Sequence, residues 1–401
     1  MAVARTELPS MEDLDVMGQR VLLRCDLNVP LRAGQITDDH RIQAAIPTIL
    51  ALLERGARVI VCSHLGRPKG KVVEELRMAP VGQRLEQLLG RPVEVLGTVV
   101  GEEVLAASLS RADVILLENL RFEPGETAND PNFARSLAAL ADCYVNDAFG
   151  SAHRAHASTV GVAKLLPSAA GSLLKNEVEK LSRILTSAER PFVAVLGGAK
   201  VSDKLGVIGN LLHRVDSFCI GGAMAFTLLV ARGEDVGGSL VEKDRVDEVR
   251  GVLAEADEKG VEVLLPDDVV AADSIDEGAA HETVDLAGIG GRLGVDIGPR
   301  SAERFAAEIS TAKTVLWNGP MGIFEIEDYA AGTKAVAEAV VEATRNGAYS
   351  VVGGGDSAAA LKQLGMDDQV SHLSTGGGAS LEFLEGIELP GIAALTERKN
   401  G

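Results

Sequence analysis

The strongest constraint on this 401-residue chain is an alternation that runs its whole length. Short apolar, β-branched runs recur at Val21–Leu23, Val59–Cys62, Val114–Leu117, Cys143–Val145, Phe192–Leu196, Phe218–Ile220, Val261–Leu265, Thr314–Trp317 and Tyr349–Val352. Between most of them lie amphipathic helical stretches, such as Ile42–Leu53, Val81–Leu89, Phe133–Leu140 and Gly332–Ala343. Strands that alternate with helices make βαβ units and largely parallel sheets. The chain is too long for one ordinary core, and a 46% hydrophobic content suffices to fill two, so two α/β domains are expected. The segment Gly171–Ser187, GSLLKNEVEKLSRILTS, keeps helical apolar spacing under a charged face. It reads either as an ordinary crossover helix or as a helix joining the two domains. Its place between two chemically different halves favours the second.

Charge narrows the partners. A net charge of −19, from 39 basic and 58 acidic residues, argues against nucleic acid and anionic membranes. It is unevenly spread: residues 1–170 carry 18 Lys+Arg and 21 Asp+Glu, a net of −3, which leaves −16 for residues 171–401. Fifteen of those 18 are Arg, the side chain suited to bidentate grip on carboxylate and phosphate. An Arg-rich composition alone would give the same count, so positions must decide. Cys25, Cys62, Cys143 and Cys219 stand singly in or beside apolar runs, and are expected as reduced core residues of a cytoplasmic protein. The start, MAVARTELPSMEDLD, lacks the apolar core of a signal peptide, and the charge-free run Phe218–Ala231 is too short to span a bilayer.

Open α/β sheets bind ligands at the carboxyl ends of their strands, so chemistry is expected in the residues just past each run. The first four runs lead into Asp26-Leu27-Asn28, Ser63-His64-Leu65-Gly66-Arg67, Glu118-Asn119-Leu120-Arg121 and Asn146-Asp147. Later come Gly197-Gly198-Ala199-Lys200, Gly221-Gly222, Pro266-Asp267-Asp268, Asn318-Gly319-Pro320 and Gly353-Gly354-Gly355-Asp356. The first group is rich in Arg, His and Asn. Arg41, His64 with Arg67, Arg121, and Arg154 within His153-Arg154-Ala155-His156 could together grip an anion, and Asp26 and Asn28 could fix a hydroxyl. Any one of these arginines alone reads better as a surface charge; the set at strand ends does not.

The second group is dominated by glycine, which lets backbone N–H groups approach phosphate closely. Ser374-Thr375-Gly376-Gly377-Gly378 ahead of Ala379–Leu384 has the layout of a glycine turn opening a helix. Several cradles are missing. There is no GxxxxGK[ST], no GxGxxG opening a helix after the first strand, no kinase HRD or DFG, and no nucleophile elbow.

The segments Arg24–Pro30 (RCDLNVP), Ser63–Pro68 (SHLGRP), Asn146–Gly150 (NDAFG), His153–His156 (HRAH), LGGAKVSDK at 196–204, WNGPMGIFE at 317–325, GGGDS at 353–357 and STGGGASLE at 374–382 together resemble the phosphoglycerate kinases, in the family's order and over nearly the whole chain. Ser357 stands where the family often has Thr, which keeps the hydroxyl. The resemblance implies two Rossmann-like α/β domains, parallel sheets flanked by helices, joined by an interdomain helix and a hinge. It assigns 1–170 plus 388–401 to phosphoglycerate and 171–387 to nucleotide. The implied substrate residues are Asp26, Asn28, Arg41, His64, Leu65, Gly66, Arg67, Arg121 and Arg154. The implied nucleotide residues are Lys204, Glu325, Gly354, Gly355, Asp356 and Ser357, with Asp356 as the Mg²⁺ carboxylate. Arg41, Lys200, Lys204 and Gly376, Gly377 and Gly378 would neutralise the transferring phosphoryl group. A monomer acting on 3-phosphoglycerate or 1,3-bisphosphoglycerate with ATP or ADP is expected. An NAD-linked sheet protein would need the missing GxGxxG, and an inactive relative would be expected to lack Arg41, Lys204 or Asp356, which are all present.

Overall fold

The computed structural model describes residues 8–397; MAVARTE at the start and the last four residues of the 388–401 segment lie outside the described residues. All nine apolar runs form strands. In the first part of the chain the strands are β1 (Arg20–Arg24), β2 (Leu31–Arg32), β3 (Gln35–Ile36), β4 (Arg58–Cys62), β5 (Glu94–Val95), β6 (Val114–Leu116), β7 (Cys143–Asn146) and β8 (Ser168–Ala170). β2 and β3 make a small antiparallel hairpin, and the other six form a parallel sheet in the order β5-β6-β4-β1-β7-β8. The last four residues of β1 and of β4 are buried without a break. Side chains alternate between faces, so an unbroken buried run means that both faces are covered, and the run reads as continuous apolarity. Ile42, Ala45, Ile49 and Leu52 of the helix His40–Glu54, and Val81, Leu85 and Leu89 of the helix Ala79–Leu89, join this core at helical spacing.

The second part repeats the plan with β9 (Phe192–Leu196), β10 (Ser217–Ile220), β11 (Glu262–Leu264), β15 (Thr314–Asn318), β16 (Tyr349–Gly353) and β17 (His372–Leu373), parallel in the order β11-β10-β9-β15-β16-β17. Every residue of β9, β15 and β16 is buried. Inserted between β11 and β15 is an antiparallel sheet, β13-β12-β14, made of β12 (Asp268–Ala272), β13 (His281–Asp285) and β14 (Leu293–Ile297). Here the strand-end expectation fails for Asp268, which begins β12 and does not sit in a ligand-side loop. Its buried carboxylate accepts from Arg300 N (3.1 Å) and Ser301 N (2.8 Å) and so caps the helix Pro299–Thr311.

Contacts divide the chain into two compact units, one built from the residues up to Glu179 and from Glu388 onward, the other from Lys180–Ile387. The helix Ser172–Thr186 runs from one into the other. Its start is held by Asp147, whose Oδ1 accepts from Leu173 N (2.8 Å) and Leu174 N (3.1 Å). Burial pushes the Asp147 carboxyl up to about 6 against these bonds. All four cysteines are buried and free. Among the described residues, no helix is long and apolar enough to cross a membrane.

Both parallel sheets reverse their winding direction. In the second, β9, β10 and β11 build one way and β15, β16 and β17 the other, so β9 and β15 flank the switch point. The loops leaving adjacent strands at such a point diverge and open a crevice, which is where a ligand fits. In the first sheet the corresponding place lies between β1 and β7.

Candidate active site

At the carboxyl end of the first sheet, basic side chains gather around one histidine. Asp26, just after β1, accepts from Arg41 Nη1 at 2.9 Å. Arg41 itself is not at a strand end: it sits in the first turn of the helix His40–Glu54, and the expectation is corrected there. Asn28 Oδ1 accepts from Gly66 N (2.8 Å), and Arg121 Nη1 donates to Gly66 O (2.7 Å), so the loop after β4 is gripped from two sides. Arg154 Nε lies 3.0 Å from His153 Nε2. His64 is buried after β4. Burial, then the charges of Arg24, Arg121, Arg41 and Arg154, hold its imidazole well below the usual pKa. Arg121 feels the same crowding: burial, then Arg154 and Arg24, push it down to about 10. Cations gathered this closely are a standing field for an anion. Leu65 is buried and Arg67 exposed at the rim of this loop.

The scaffold beneath uses Asn119, a strand-end residue to which the sequence alone assigned no role. Asn119 is fully buried, its Oδ1 accepting from Leu65 N (3.2 Å) and Arg121 N (3.1 Å), its Nδ2 donating to Leu65 O (2.7 Å) and Leu76 O (2.9 Å). One amide thus ties the loop carrying Leu65 and Gly66 to the turn carrying Arg121. Beside it the Glu118 carboxylate accepts from Met78 N (2.8 Å), Asn119 N (2.8 Å) and Arg77 Nη1 (3.0 Å).

The second sheet carries a cavity of about 510 Å³ at its switch point. Gly197 comes directly after β9 and Asn318 ends β15, joined by Gly197 N to Asn318 O (3.0 Å). A side chain on Gly197 would run into the carbonyl oxygens of Pro320 and Gly319, so only glycine allows this approach. Gly355 and Asp356 open the helix Gly355–Gln363, behind Gly354 at φ 92°, and Gly377 at φ 53° precedes the short helix Gly378–Leu384. The first amides of these helices have no intrahelical acceptor, and the residues that carry them line the cavity, a setting suited to phosphate.

Lys200, Lys204, Asp203, Asp356, Glu382 and Glu385 supply its charge. Lys204 is buried and donates to Asn318 Oδ1; burial pushes its ammonium down to about 8, against the pull of Asp203, Asp356 and Glu385. Asn318 Nδ2 is buried without a partner at the cavity wall. Asn318 and Gly319 are further cavity residues, and their signal was the polar pair ending an apolar run.

The cavity brings together Lys200, Lys204, Gly354, Gly355, Asp356, Gly377 and Gly378. Gly376 lies buried behind them, its N–H donating to Ser374 Oγ (3.2 Å). Ser357 is fully buried and accepts from Gly319 N (2.6 Å), a brace for the cavity wall. Glu325 is exposed and is not among the lining residues.

A model of the phosphoglycerate kinase family matches residues 11–387. A phosphoglycerate kinase of Rubrobacter xylanophilus is 57% identical over 393 residues, 97% of this chain and 98% of the relative; one of Thermosipho africanus is 54% identical over 396 residues, again 97% and 98%. Among solved structures, phosphoglycerate kinase from Coxiella burnetii superposes with a TM-score of 0.86 at 43% identity, covering 98% of this chain and 100% of that one. That from Pyrococcus horikoshii gives 0.81 at 33% identity, with 97% and 98% covered. With the cationic cluster on one sheet, the glycine cavity on the other and agreement over essentially the full length, the chain belongs to the phosphoglycerate kinase family.

Proposed function

We propose a division of labour for the family's reaction, reversible transfer of the acyl phosphate of 1,3-bisphosphoglycerate to ADP. The first unit holds the phosphoglycerate through Asp26, Asn28, Arg41, His64, Leu65, Gly66, Arg67, Arg121 and Arg154. The second holds the nucleotide through Lys204, Gly354, Gly355, Asp356 and Ser357, and through Glu325, which stands outside the cavity lining. This is the domain division read from the sequence, 1–170 plus 388–401 and 171–387, and the two compact units support it. The observation that carries the reading is the pairing of an arginine cluster gathered around the buried His64 with a glycine-lined cavity, each at the carboxyl end of a parallel sheet.

A nucleotide phosphate oxygen attacks an acyl phosphate in the ADP-consuming direction, so no general base is needed, and His64, His153 and His156 serve in binding or structure. The protein's task is in-line positioning and neutralisation of charge on the equatorial oxygens. Arg41 does this from the acid side, and Lys200, Lys204 and the glycine turn Gly376–Gly378 from the nucleotide side, the turn through the amides of Gly377 and Gly378 while the Gly376 N–H stays on Ser374 Oγ. Substrates held on separate units react after hinge closure about the helix Ser172–Thr186. The Asp356 carboxylate, with Asp203 across the same cavity, is a hard oxygen donor of the kind Mg²⁺ takes alongside nucleotide phosphates. Among the described residues no group of three or more His, Cys, Asp or Glu forms a metal cage, as fits an ion carried largely by the nucleotide. When bound, Mg²⁺ would supply neutralising charge to the nucleotide phosphates. The chain works as a cytoplasmic monomer in this reading.

The test is a coupled assay of ADP formation from 3-phosphoglycerate and Mg-ATP on the purified chain and on Arg41→Ala. Turnover in the variant should fall on the order of 10²–10³, as for loss of one charge-stabilising donor. Full activity would reject the role given to Arg41.

A further inference from the structure

Behind the arginine cluster lies a buried polar network with no part in the proposed phosphoryl transfer. Arg24 occupies the last position of β1 and is fully buried. Its Nη2 lies 3.1 Å from His64 Nδ1, its Nε donates to Ser158 Oγ (2.9 Å), and its Nη1 donates to the Cys25 carbonyl. Ser158 Oγ donates its own proton to Glu126 Oε1 (2.7 Å), and Ser158 N donates to Glu126 Oε2 (3.0 Å). Tyr144 Oη donates to Ser158 O (2.6 Å), and His156 Nδ1 stands 3.4 Å from Glu126 Oε1. Burial by itself would raise the Glu126 carboxyl, but the His156 bond, the charge of Arg24 and the Ser158 bond hold it below the usual range. The buried guanidinium is therefore balanced by a buried carboxylate through one serine hydroxyl, and its three bonded nitrogens fix its orientation.

A guanidinium carries five N–H donors and no acceptor. The nitrogen it faces must accept, so His64 Nδ1 cannot hold a proton. We propose that Arg24 is a positioning residue that locks His64 as a neutral imidazole with its proton on Nε2, so that the phosphoglycerate site contains a hydrogen-bond donor that does not become a cation. The inference rests on the placement of His64 in that site. The charges that act most strongly on the ring, Arg24 from β1, Arg41 from its helix, Arg121 and Arg154 from their loops, are positive and oppose an imidazolium, while the nearby carboxylates Asp26 and Glu126 are engaged by Arg41 and by Ser158. The charge that attracts the substrate is then set by arginines alone, while His64 adds direction without adding a titration near neutral pH. The same donor rule gives His153 the opposite tautomer, since Arg154 Nε donates to its Nε2 and the proton is left on Nδ1.

Long-range ¹H–¹⁵N NMR of the full chain labelled at its seven histidines reads both rings directly, with the His64 signals identified by their loss in His64→Gln. His64 should show a protonated Nε2 and a bare Nδ1, unchanged from pH 8 to about pH 5.5, and His153 the reverse pattern. Arg24→Met should let His64 titrate or mix tautomers, and should raise KM for 3-phosphoglycerate tenfold or more with a smaller change in kcat. His64→Gln, whose amide can still accept from Arg24 and donate onward, should retain more of the affinity than His64→Leu. A wild-type spectrum with Nδ1 protonated, or an imidazolium at pH 6, overturns the proposal whether or not the Arg24 variant folds. If 3-phosphoglycerate leaves the His64 signals unmoved while the tautomer is as stated, the placement of His64 in the site is what fails, and with it the functional half of the proposal.

Discussion

Replacing Lys204 by Met should make the second unit more stable at neutral pH and the enzyme far less active. Moving a lysine ammonium from 10.5 to about 8 by burial means that keeping it charged at pH 7 costs the fold roughly 3 kcal/mol. A methionine of similar length removes that term but leaves Asn318 Oδ1 without its donor, a loss of about 1–3 kcal/mol. The net is zero to about 2 kcal/mol in favour of the variant at pH 7. Linkage fixes the sign of the pH dependence. The folded pKa is depressed, so between about pH 8 and 10.5 the unfolded chain binds a proton that the folded chain has lost, and wild-type stability rises with pH relative to the variant. By pH 10 the advantage should have reversed, because most of the burial penalty is gone and the missing hydrogen bond outweighs what is left of it. Trp317, the single tryptophan, is fully buried in the same unit, so its fluorescence during denaturant unfolding reports the relevant transition. Turnover should meanwhile fall on the order of 10²–10³, about 3–4 kcal/mol of transition-state stabilisation. A stability difference that ignores pH, or turnover within threefold of wild type, would refute the burial argument or the catalytic one respectively.

The same geometry sets three other outcomes. Asn119→Ala orphans four backbone partners, three of them in buried bonds, and should destabilise by at least about 2 kcal/mol, raising KM for 3-phosphoglycerate while leaving KM for ATP unchanged in a two-substrate kinetic titration. Gly197→Ala forces a methyl group against two carbonyl oxygens and should lower stability by more than about 2 kcal/mol, read as an earlier Trp317 unfolding midpoint. The Asp147 carboxyl is raised from 3.8 to about 6, so the folded chain holds its proton more tightly and stability is lost as pH rises through that window. Asp147→Asn keeps an acceptor for Leu173 N and Leu174 N and should flatten this loss, gaining roughly 3 kcal/mol on wild type between pH 4 and pH 7 by chemical denaturation.

The parts of this molecule that announced themselves are those where one physical demand acted alone. Strands covered on both faces must be apolar at every position, and Phe192–Leu196 or Thr314–Trp317 could be little else. The antiparallel sheet stayed hidden because β13, His281–Asp285, is largely exposed and polar, and the edge strands Glu94–Val95 and His372–Leu373 are two residues long. Strand-end polarity pointed to Asp26, Asn28, His64 and Arg121, but Arg41 reaches Asp26 from a helix, which no local pattern shows. Arg24 was concealed most thoroughly: inside an apolar strand it reads as a boundary charge, and only packing reveals it fully buried between His64 and Ser158. Asn119 and Glu118 likewise act through partners dozens of residues away in sequence.

Calorimetric titration of 3-phosphoglycerate and of Mg-ADP, each alone, into the wild type, Arg154→Ala and Lys204→Ala tests most directly whether the two anions occupy separate pockets. Arg154→Ala should lose at least tenfold in affinity for the acid and nothing for the nucleotide, and Lys204→Ala the reverse. Loss of both ligands in either variant, or of neither in Arg154→Ala, would contradict it.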